Sequence, residues 1–144
     1  MGADDMGRVT TEATIYNLGD LIEAERGNRA PDQVRQVIVK EALVDTGATT
    51  LSMPRSLLEQ IGLTKKYEKR AMTAGGTTTL DVYGAAQIDI MGRLAITDVI
   101  VVPEGSPVLV GQVPLEMMDW VIDMTAKKLI GNPAHGGEHI LEVL

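Results

Sequence analysis

One tetrapeptide carries the groups best suited to chemistry in this chain. Asp45-Thr46-Gly47-Ala48 directly follows an apolar run at residues 42–44. A carboxylate can take a proton from water or give one to a leaving group, so an aspartate at the end of a buried strand is a candidate general acid or base. Asp, Thr and Gly are also common in ordinary turns, so the triplet alone is a weak signal. Its surroundings decide between the two interpretations.

Other catalytic and ligand-binding chemistries find little support. The 144 residues include no cysteine, which excludes thiol catalysis, disulfides and cysteine zinc sites. No Gly-x-Ser-x-Gly elbow of a serine hydrolase occurs. The two histidines, His135 and His139, are separated by two glycines and a glutamate, which argues against a zinc-binding helix. We therefore expect no metal and no cofactor, and we interpret this segment as a flexible tail.

The sequence around the tetrapeptide predicts strands and one short helix. Residues 9–16 and 34–44 are rich in β-branched residues and predict two strands. The polar stretch at 23–32 contains Gly and Pro and is interpreted as a surface loop. Residues 55–61 predict a helix that begins after Pro54 and ends at Gly62.

The second half of the chain predicts more strands and a second helix. Ala74-Gly75-Gly76 joins two strand-like segments, and its glycines can supply the positive φ angles of a tight hairpin. We therefore predict an all-β, mostly antiparallel fold with one or two short helices. The elements predicted after residue 66 are strands at 67–73, 77–90, 94–102, 108–111, 120–123 and 127–130 and a helix at 114–118.

A faint internal repeat is also visible. An apolar strand, a glycine turn and a proline-led helix occur at residues 43–58 and again at 109–118, with Pro54 and Pro114 at matching points. Such a repeat suggests two halves around a pseudo-twofold axis, although two short matches also arise by coincidence in β domains.

Taken together, these features resemble the aspartic proteases of the retropepsin type. The apolar strand, the tetrapeptide, the Gly-Gly hairpin and Val-Leu-Val-Gly at 108–111 occur in the order and approximate spacing of that family. The resemblance covers residues 34–118, and the ends look more like bacterial single-lobe relatives than viral retropepsins. It implies one domain over residues 1–144, with residues 1–31 as a less certain N-terminal extension.

The resemblance implies an aspartic endopeptidase that acts on peptides. Two carboxylates within about 3 Å share one proton, so one serves as base and the other as acid. Only Asp45 is followed by Thr-Gly, so we expect a symmetric homodimer to supply a second Asp45. The other aspartates considered lack the following pair: Asp81, Asp89, Asp98, Asp119 and Asp123.

The family resemblance also assigns roles to individual residues. Asp45, Thr46 and Gly47 are the expected catalytic residues: Gly47 lets backbone amides approach the carboxylate, and Thr46 bonds the opposing subunit's loop. The hairpin is expected to close over substrate as a flap. The expected substrate-binding residues are Ala48, Ala74, Gly75, Gly76 and Gly111, the last passing beneath the catalytic loop.

One departure from the viral pattern concerns an ion pair. Viral retropepsins usually carry Asp and Arg at the positions of Thr49 and Gln112, and these two side chains pair. Both charges are missing here, which is consistent with a neutral hydrogen-bonded replacement. The viral dimer geometry therefore does not transfer directly.

Charge and hydropathy limit the partners. A net charge of −7 disfavours nucleic acid, whose phosphates require clustered Lys and Arg. The longest apolar stretch, residues 94–103, contains Thr97 and Asp98 and is far shorter than the roughly 20 residues that span a bilayer, so we expect no membrane insertion. The first eight residues lack the pattern of a signal peptide, so a cytoplasmic location is expected.

Two alternative functions remain open at the level of sequence. The first is a catalytically weak or inactive module of the same fold that holds extended peptides or assembles with other proteins. The second is a monomeric structural β domain with a chance triplet. Asp45 together with Thr46 and Gly47 favours the enzyme, because a binding module does not need a carboxylate that is costly to bury against its twin.

Overall fold

Strands dominate the computed structural model, which describes residues 8–143. Nine strands lie in this part of the chain. They are β1 (Val9–Asn17), β2 (Gln36–Val44), β3 (Leu51–Pro54), β4 (Thr64–Thr73), β5 (Gly76–Ile90), β6 (Arg93–Val102), β7 (Leu109–Val110), β8 (Trp120–Asp123) and β9 (Lys128–Gly131).

Three short α-helices accompany the strands within residues 8–143. They are α1 (Leu18–Glu25), α2 (Arg55–Gln60) and α3 (Gln112–Met118), and single 3₁₀ turns lie at Pro31–Gln33 and Pro133–His135. The sequence predicted α2 and α3, although α3 begins two residues before Pro114.

The large sheet closes on itself. Its strand order is β1-β2-β7-β3-β6-β5-β4, and β1 also pairs with β5, so six strands form a ring with β4 outside it as an edge strand. Most pairs are antiparallel, and only β2–β7 and β3–β6 are parallel within the described residues. The predicted all-β, mostly antiparallel fold is confirmed, with one α-helix more than expected.

The hydrophobic core fills the interior of this ring. β-branched and aliphatic side chains point inward from alternate strand positions, which is the pattern a half-buried strand requires. Ile15, Leu51, Ile88 and Val110 come from four different strands and are fully buried. Because β1 supplies Ile15 and closes the ring, the segment before residue 31 is an integral part of the fold from Val9 onward.

The topology contains an internal twofold repeat. Strand β7 lies between β2 and β3, while β3 lies between β7 and β6. The loop at residues 45–50, which joins β2 to β3, therefore crosses the end of β7, and the loop at 103–108, which joins β6 to β7, is its counterpart. A helix follows each unit, α2 in one and α3 in the other. The repeat predicted from the sequence differs in its pairing. It matched residues 43–58, which begin at the end of β2, with residues 109–118, which begin at β7, whereas the topology makes β6 the counterpart of β2 and β7 the counterpart of β3.

The residue types of Asn17-Leu18-Gly19-Asp20 favour a turn after β1, but a helix begins there, and the loop predicted at 23–32 starts only after Glu25. Asn17 has extended backbone angles and its side chain accepts a hydrogen bond from the Asp20 amide at 3.0 Å, so the apparent turn is the N-cap of α1. Asp20 is buried and bonds Arg35, Nε to Oδ2 at 2.8 Å. Hydrogen bonds from Arg35 lower the pKa of Asp20 to about 2. The same hydrogen bonds fix α1 against the start of β2.

The C-terminal segment is also ordered, contrary to the expected flexible tail. His135 Nδ1 donates to the buried Asp119 carboxylate at 2.6 Å, and its Nε2 contacts Glu142. Hydrogen bonds to Glu142 and Asp119 raise the pKa of His135. Arg93 donates to the Gly137 carbonyl at 2.6 Å. These contacts fasten the segment to the end of α3 in spite of its glycines.

The free edge of the large sheet is basic. Strand β4 is exposed along almost its whole length, and no residue beyond it pairs with its outer side in the described chain. It carries Lys65, Lys66, Lys69 and Arg70 in a chain whose net charge is −7.

No helix within residues 8–143 is both long and apolar enough to cross a bilayer.

Candidate active site

The loop at residues 45–50 is held at both ends by backbone hydrogen bonds. The Asp45 amide donates to the Val110 carbonyl at 3.0 Å, which continues the β2–β7 pairing by one residue. The Ala48 amide then donates to the Asp45 carbonyl at 3.0 Å and closes a tight turn. Asp45 therefore follows a strand that is buried only near its end, at Ala42 and Val44, and it has a fixed backbone and a half-buried side chain.

The Asp45 carboxylate accepts one hydrogen bond from its own loop. The Gly47 amide donates to Oδ1 at 2.9 Å. A Cβ at residue 47 would lie 3.1 Å from that same oxygen, so a side chain there would crowd the carboxylate. Among the described residues, no side chain hydrogen-bonds to Asp45 and no cation lies within salt-bridge distance. The carboxylate thus keeps most of its acceptor capacity for water, substrate or another chain.

Gly111 lies directly beneath this loop. A Cβ at residue 111 would stand 2.5 Å from the Thr50 carbonyl oxygen and 2.7 Å from the Ala48 carbonyl oxygen. These are backbone atoms that cannot swing away, so the loop can rest here only on a glycine. The Gly111 amide uses the same closeness to donate to the Thr50 carbonyl at 3.0 Å.

The beginning of α3 completes the support of the loop. The Gln112 amide donates to the Ala48 carbonyl and the Val113 amide to the Thr49 carbonyl, both at 2.9 Å. The side chain of Gln112 bonds Glu116 at 2.8 Å instead of Thr49. Among the described residues, the side chains of Thr49 and Gln112 therefore do not bond each other, and neutral backbone hydrogen bonds connect the two segments.

Thr46 and Ala48 differ in exposure. Thr46 is exposed, and its hydroxyl makes no hydrogen bond to any described residue, whereas Ala48 is half-buried between Asp45 and α3. A free hydroxyl beside the candidate catalytic carboxylate is available to a molecule that approaches the loop from outside.

The β4–β5 hairpin extends away from the core. Its turn is formed by Ala74 and Gly75, and Gly76 alone of the two glycines has a positive φ, of 120°. Thr73 Oγ1 donates to the Gly76 carbonyl at 2.9 Å and tightens the turn. No hydrogen bond joins residues 74–76 to residues 45–50, and the side chain of Met72 beside the turn is 92% exposed. The structure thus brings Asp45, Thr46, Gly47, Ala48 and Gly111 together, and leaves the hairpin tip separate.

A cavity of about 400 Å³ lies between the loop and the base of this hairpin. Thr49 and Thr50 contribute the loop side. Its far side holds Tyr67, whose phenol donates to Asp98 Oδ2 at 3.2 Å. Burial and the negative charge of Asp98 raise the pKa of Tyr67, so the phenol stays a donor over the working range of acid and neutral pH.

Sequence reasoning did not identify this cavity. From the sequence, Asp98 is a carboxylate without a following Thr-Gly pair and an interruption of an apolar stretch, and Tyr67 is the start of a strand. Alternation along each strand gives the face of a residue once its pairing is known. The pairing of β4 with β5 shifts by one residue between Lys65 and Tyr67, and the sequence carries no clear sign of that irregularity.

Metal chemistry has no assembled ligand set here. Within residues 8–143, no group of three His, Asp or Glu side chains is placed to hold a metal ion.

Comparison with known proteins gives a family. The family model described as aspartyl protease matches residues 33–113, which is more than half of the 144 residues. The matched range includes the Asp45 loop, the β4–β5 hairpin and Gly111. No curated protein sequence matches the chain. The match confirms the retropepsin-like resemblance.

Proposed function

We propose that this chain, which belongs to the aspartyl protease family, is an endopeptidase whose active site forms between two copies. Each copy supplies one Asp45. One carboxylate takes a proton from the attacking water while the other, protonated, polarises the carbonyl of the scissile peptide bond. Gly47 holds the charge through its amide, and neither a metal ion nor an organic cofactor takes part.

The main support for the proposal is the hydrogen bonding of the Asp45 carboxylate. It is held in place by the Gly47 amide at 2.9 Å, above Gly111, and no other side chain of residues 8–143 hydrogen-bonds to it. A carboxylate that served only to shape a turn would be satisfied by its own loop. One that is fixed but unsaturated is ready for a second carboxylate and a water.

Two further features support a site shared by two copies. The Thr46 hydroxyl is exposed and unbonded within the described chain, so it can bond the loop of an opposing subunit. In the hairpin with Ala74, Gly75 and Gly76, a Cβ would meet nothing within 4 Å at Gly76 and only Thr73 Oγ1, at 3.9 Å, at Gly75, so the backbone can approach an extended peptide. We propose that it closes over the substrate, with Ala48 beside the bound peptide.

The first experiment measures cleavage of a diverse peptide mixture between pH 3 and 7 by the native chain and by Asp45→Asn. Mass spectrometry identifies each cut. Two carboxylates that share one proton predict a bell-shaped pH dependence that is lost in the variant. If a dimer is present but neither protein cleaves, the chain is instead a peptide-binding module of the same fold.

A mixing experiment tests whether two copies share the site. Native chain and Asp45→Asn are combined in equal amounts after dissociation and reassociation. If each site needs two Asp45 residues, random pairing leaves about a quarter of the dimers active, compared with half of the sites if each chain works alone. Activity near one half would contradict the shared site.

A further inference from the structure

The cavity beside the candidate active site has a defined set of walls. Tyr67 of β4 pairs with Val82 of β5, which pairs with Ile100 of β6. Residues paired directly across antiparallel strands point to the same face, so these three side chains line one surface. Leu80 and Asp98, each two positions along its strand, share that face. The cavity therefore has an apolar wall that ends at a carboxylate.

The two charged ends of the cavity are far apart. Asp98 lies two residues before Ile100, whereas Lys69 and Arg70 lie two and three residues beyond Tyr67 toward the hairpin tip. The level of Asp98 is separated from that of Lys69 by four residues of extended chain, or about 13 Å. None of the three forms a salt bridge with any residue that the structure describes. The base of the cavity is negative, and only its outer end is positive.

Asp98 is more firmly placed than either cation. Its carbonyl oxygen accepts hydrogen bonds from Thr97 at 2.9 Å and from Thr50 at 3.2 Å, so its backbone is tied to the loop that carries Asp45. Its carboxylate accepts one hydrogen bond, from Tyr67, out of the several that it can accept. All three charged residues are exposed, but Lys69 and Arg70 have longer side chains on an edge strand and make no side-chain hydrogen bond to any described residue.

We propose that this cavity is a specificity pocket in which Asp98 selects a lysine or arginine side chain of the substrate. The inference rests on the proposed peptidase function. Such a side chain has an apolar stem that matches Leu80, Val82 and Ile100, and a cationic end that supplies the donors Asp98 lacks. Because Thr50 lines the same cavity five residues after Asp45, the pocket receives a side chain close to the cleaved bond.

The test uses a positional peptide library in which each position carries either lysine or norleucine. Norleucine has a similar apolar stem without the charge, so the ratio of kcat/KM for the two isolates the contribution of the cation. We expect lysine to be preferred at one position near the cut. In Asp98→Asn, which keeps the shape of the side chain, this ratio falls about fivefold, the upper range for a partly solvated ion pair.

A matched control is Asp32→Asn, which removes the same charge from a 3₁₀ turn that does not line the cavity. It should keep the native ratio, because only the charge inside the cavity acts on the substrate side chain. Equal ratios in the native chain and Asp98→Asn, with cleavage that still depends on Asp45, would overturn the pocket and leave the peptidase intact.

A binding measurement separates failure of the pocket from failure of the peptidase. The same library is equilibrated with Asp45→Asn alone and with Asp45→Asn combined with Asp98→Asn, and retained peptides are identified by mass spectrometry. Enrichment of lysine that disappears in the double variant supports the pocket even where the native chain cleaves nothing. Absence of lysine enrichment in Asp45→Asn contradicts it.

Discussion

The two loops related by the internal twofold repeat use their carboxylates in opposite ways. In the loop at 45–50, Asp45 is held by one amide of its own loop and by no side chain of the described residues. In the loop at 103–108, Glu104 accepts bonds from both the amide and the hydroxyl of Ser56, at 3.1 and 2.5 Å. One carboxylate is left available, and the other is used to cap the start of α2.

This difference bears on the proposed two-carboxylate site. Hydrogen bonds from Ser56 lower the pKa of Glu104, so this group is a weaker base and loses its proton more readily than an ordinary glutamate. The second loop of the repeat therefore offers no free carboxylate comparable to Asp45. Under the proposed function, a second copy of the chain supplies that carboxylate.

The largest expected effect comes from neutralising each carboxylate in turn. Asp45→Asn should lower kcat/KM at least about a thousandfold, because it removes the general base and acid of both copies. Glu104→Gln should stay within about twofold of the native value, since its carboxylate only caps a helix. Steady-state kinetics on one cleaved peptide checks both, and a large loss in Glu104→Gln would abolish the distinction between the loops.

The second largest effect is expected at Gly111, which lies beneath the loop at residues 45–50. Gly111→Ala places a methyl group against the Thr50 and Ala48 carbonyls, so the free energy of unfolding should fall by about 2–3 kcal/mol. Gly75→Ala is the matched control: its nearest neighbour is 3.9 Å away, and its stability should stay within about 0.5 kcal/mol of native. Urea denaturation measures both, and equal stabilities would mean that the loop does not rest on Gly111.

A smaller effect is expected at the exposed hydroxyl of the same loop. Thr46→Val keeps the shape of the side chain and removes the hydroxyl that we propose bonds the opposing loop. Because the proposed bond would form twice in a symmetric dimer, the dimer dissociation constant should rise about tenfold. Sedimentation equilibrium measures it. Thr125→Val, in the β8–β9 turn, changes a threonine outside the loop and should leave dimerisation unaltered.

The smallest effect is the pH dependence of the Glu104 cap. Because the pKa of Glu104 is lowered on folding, its carboxylate stabilises the native state above its ordinary value of 4.5, and this contribution is lost as the pH falls through the lower folded value. Glu104→Gln should therefore melt below the native chain at pH 7 and approach it near pH 3. A constant difference in Tm across this range would contradict the cap.

The sequence predicted the parts of the molecule that local patterns control. Alternating strands, the Gly-Gly hairpin and the Asp45 loop were identified from residues close together in the chain. Helix α1 was missed because its N-cap, Asn17, is followed by Gly19 and looks like a turn, and because its anchor, Asp20 to Arg35, is a distant contact. Such partners become visible only when the fold brings them together.

The same reason accounts for the C-terminal segment. Gly136 and Gly137 have positive φ angles of 66° and 80°, which in the sequence looked like flexibility. In the structure these angles turn the chain so that His135 reaches the Asp119 carboxylate, which lies 16 residues earlier. A glycine pair reports an unusual backbone angle, and only tertiary contacts decide whether that angle is fixed.

The basic edge strand β4 has a consequence for solubility. The pI near 4.7 means that the chain loses its net charge in the acid range where a two-carboxylate enzyme would be assayed. Lys65, Lys66, Lys69 and Arg70 give the free edge of the large sheet a local positive charge that the acidic remainder of the chain does not share. Two molecules are repelled at this edge of the large sheet, onto which another strand could add, and edge-to-edge aggregation is suppressed when charge repulsion elsewhere is weakest.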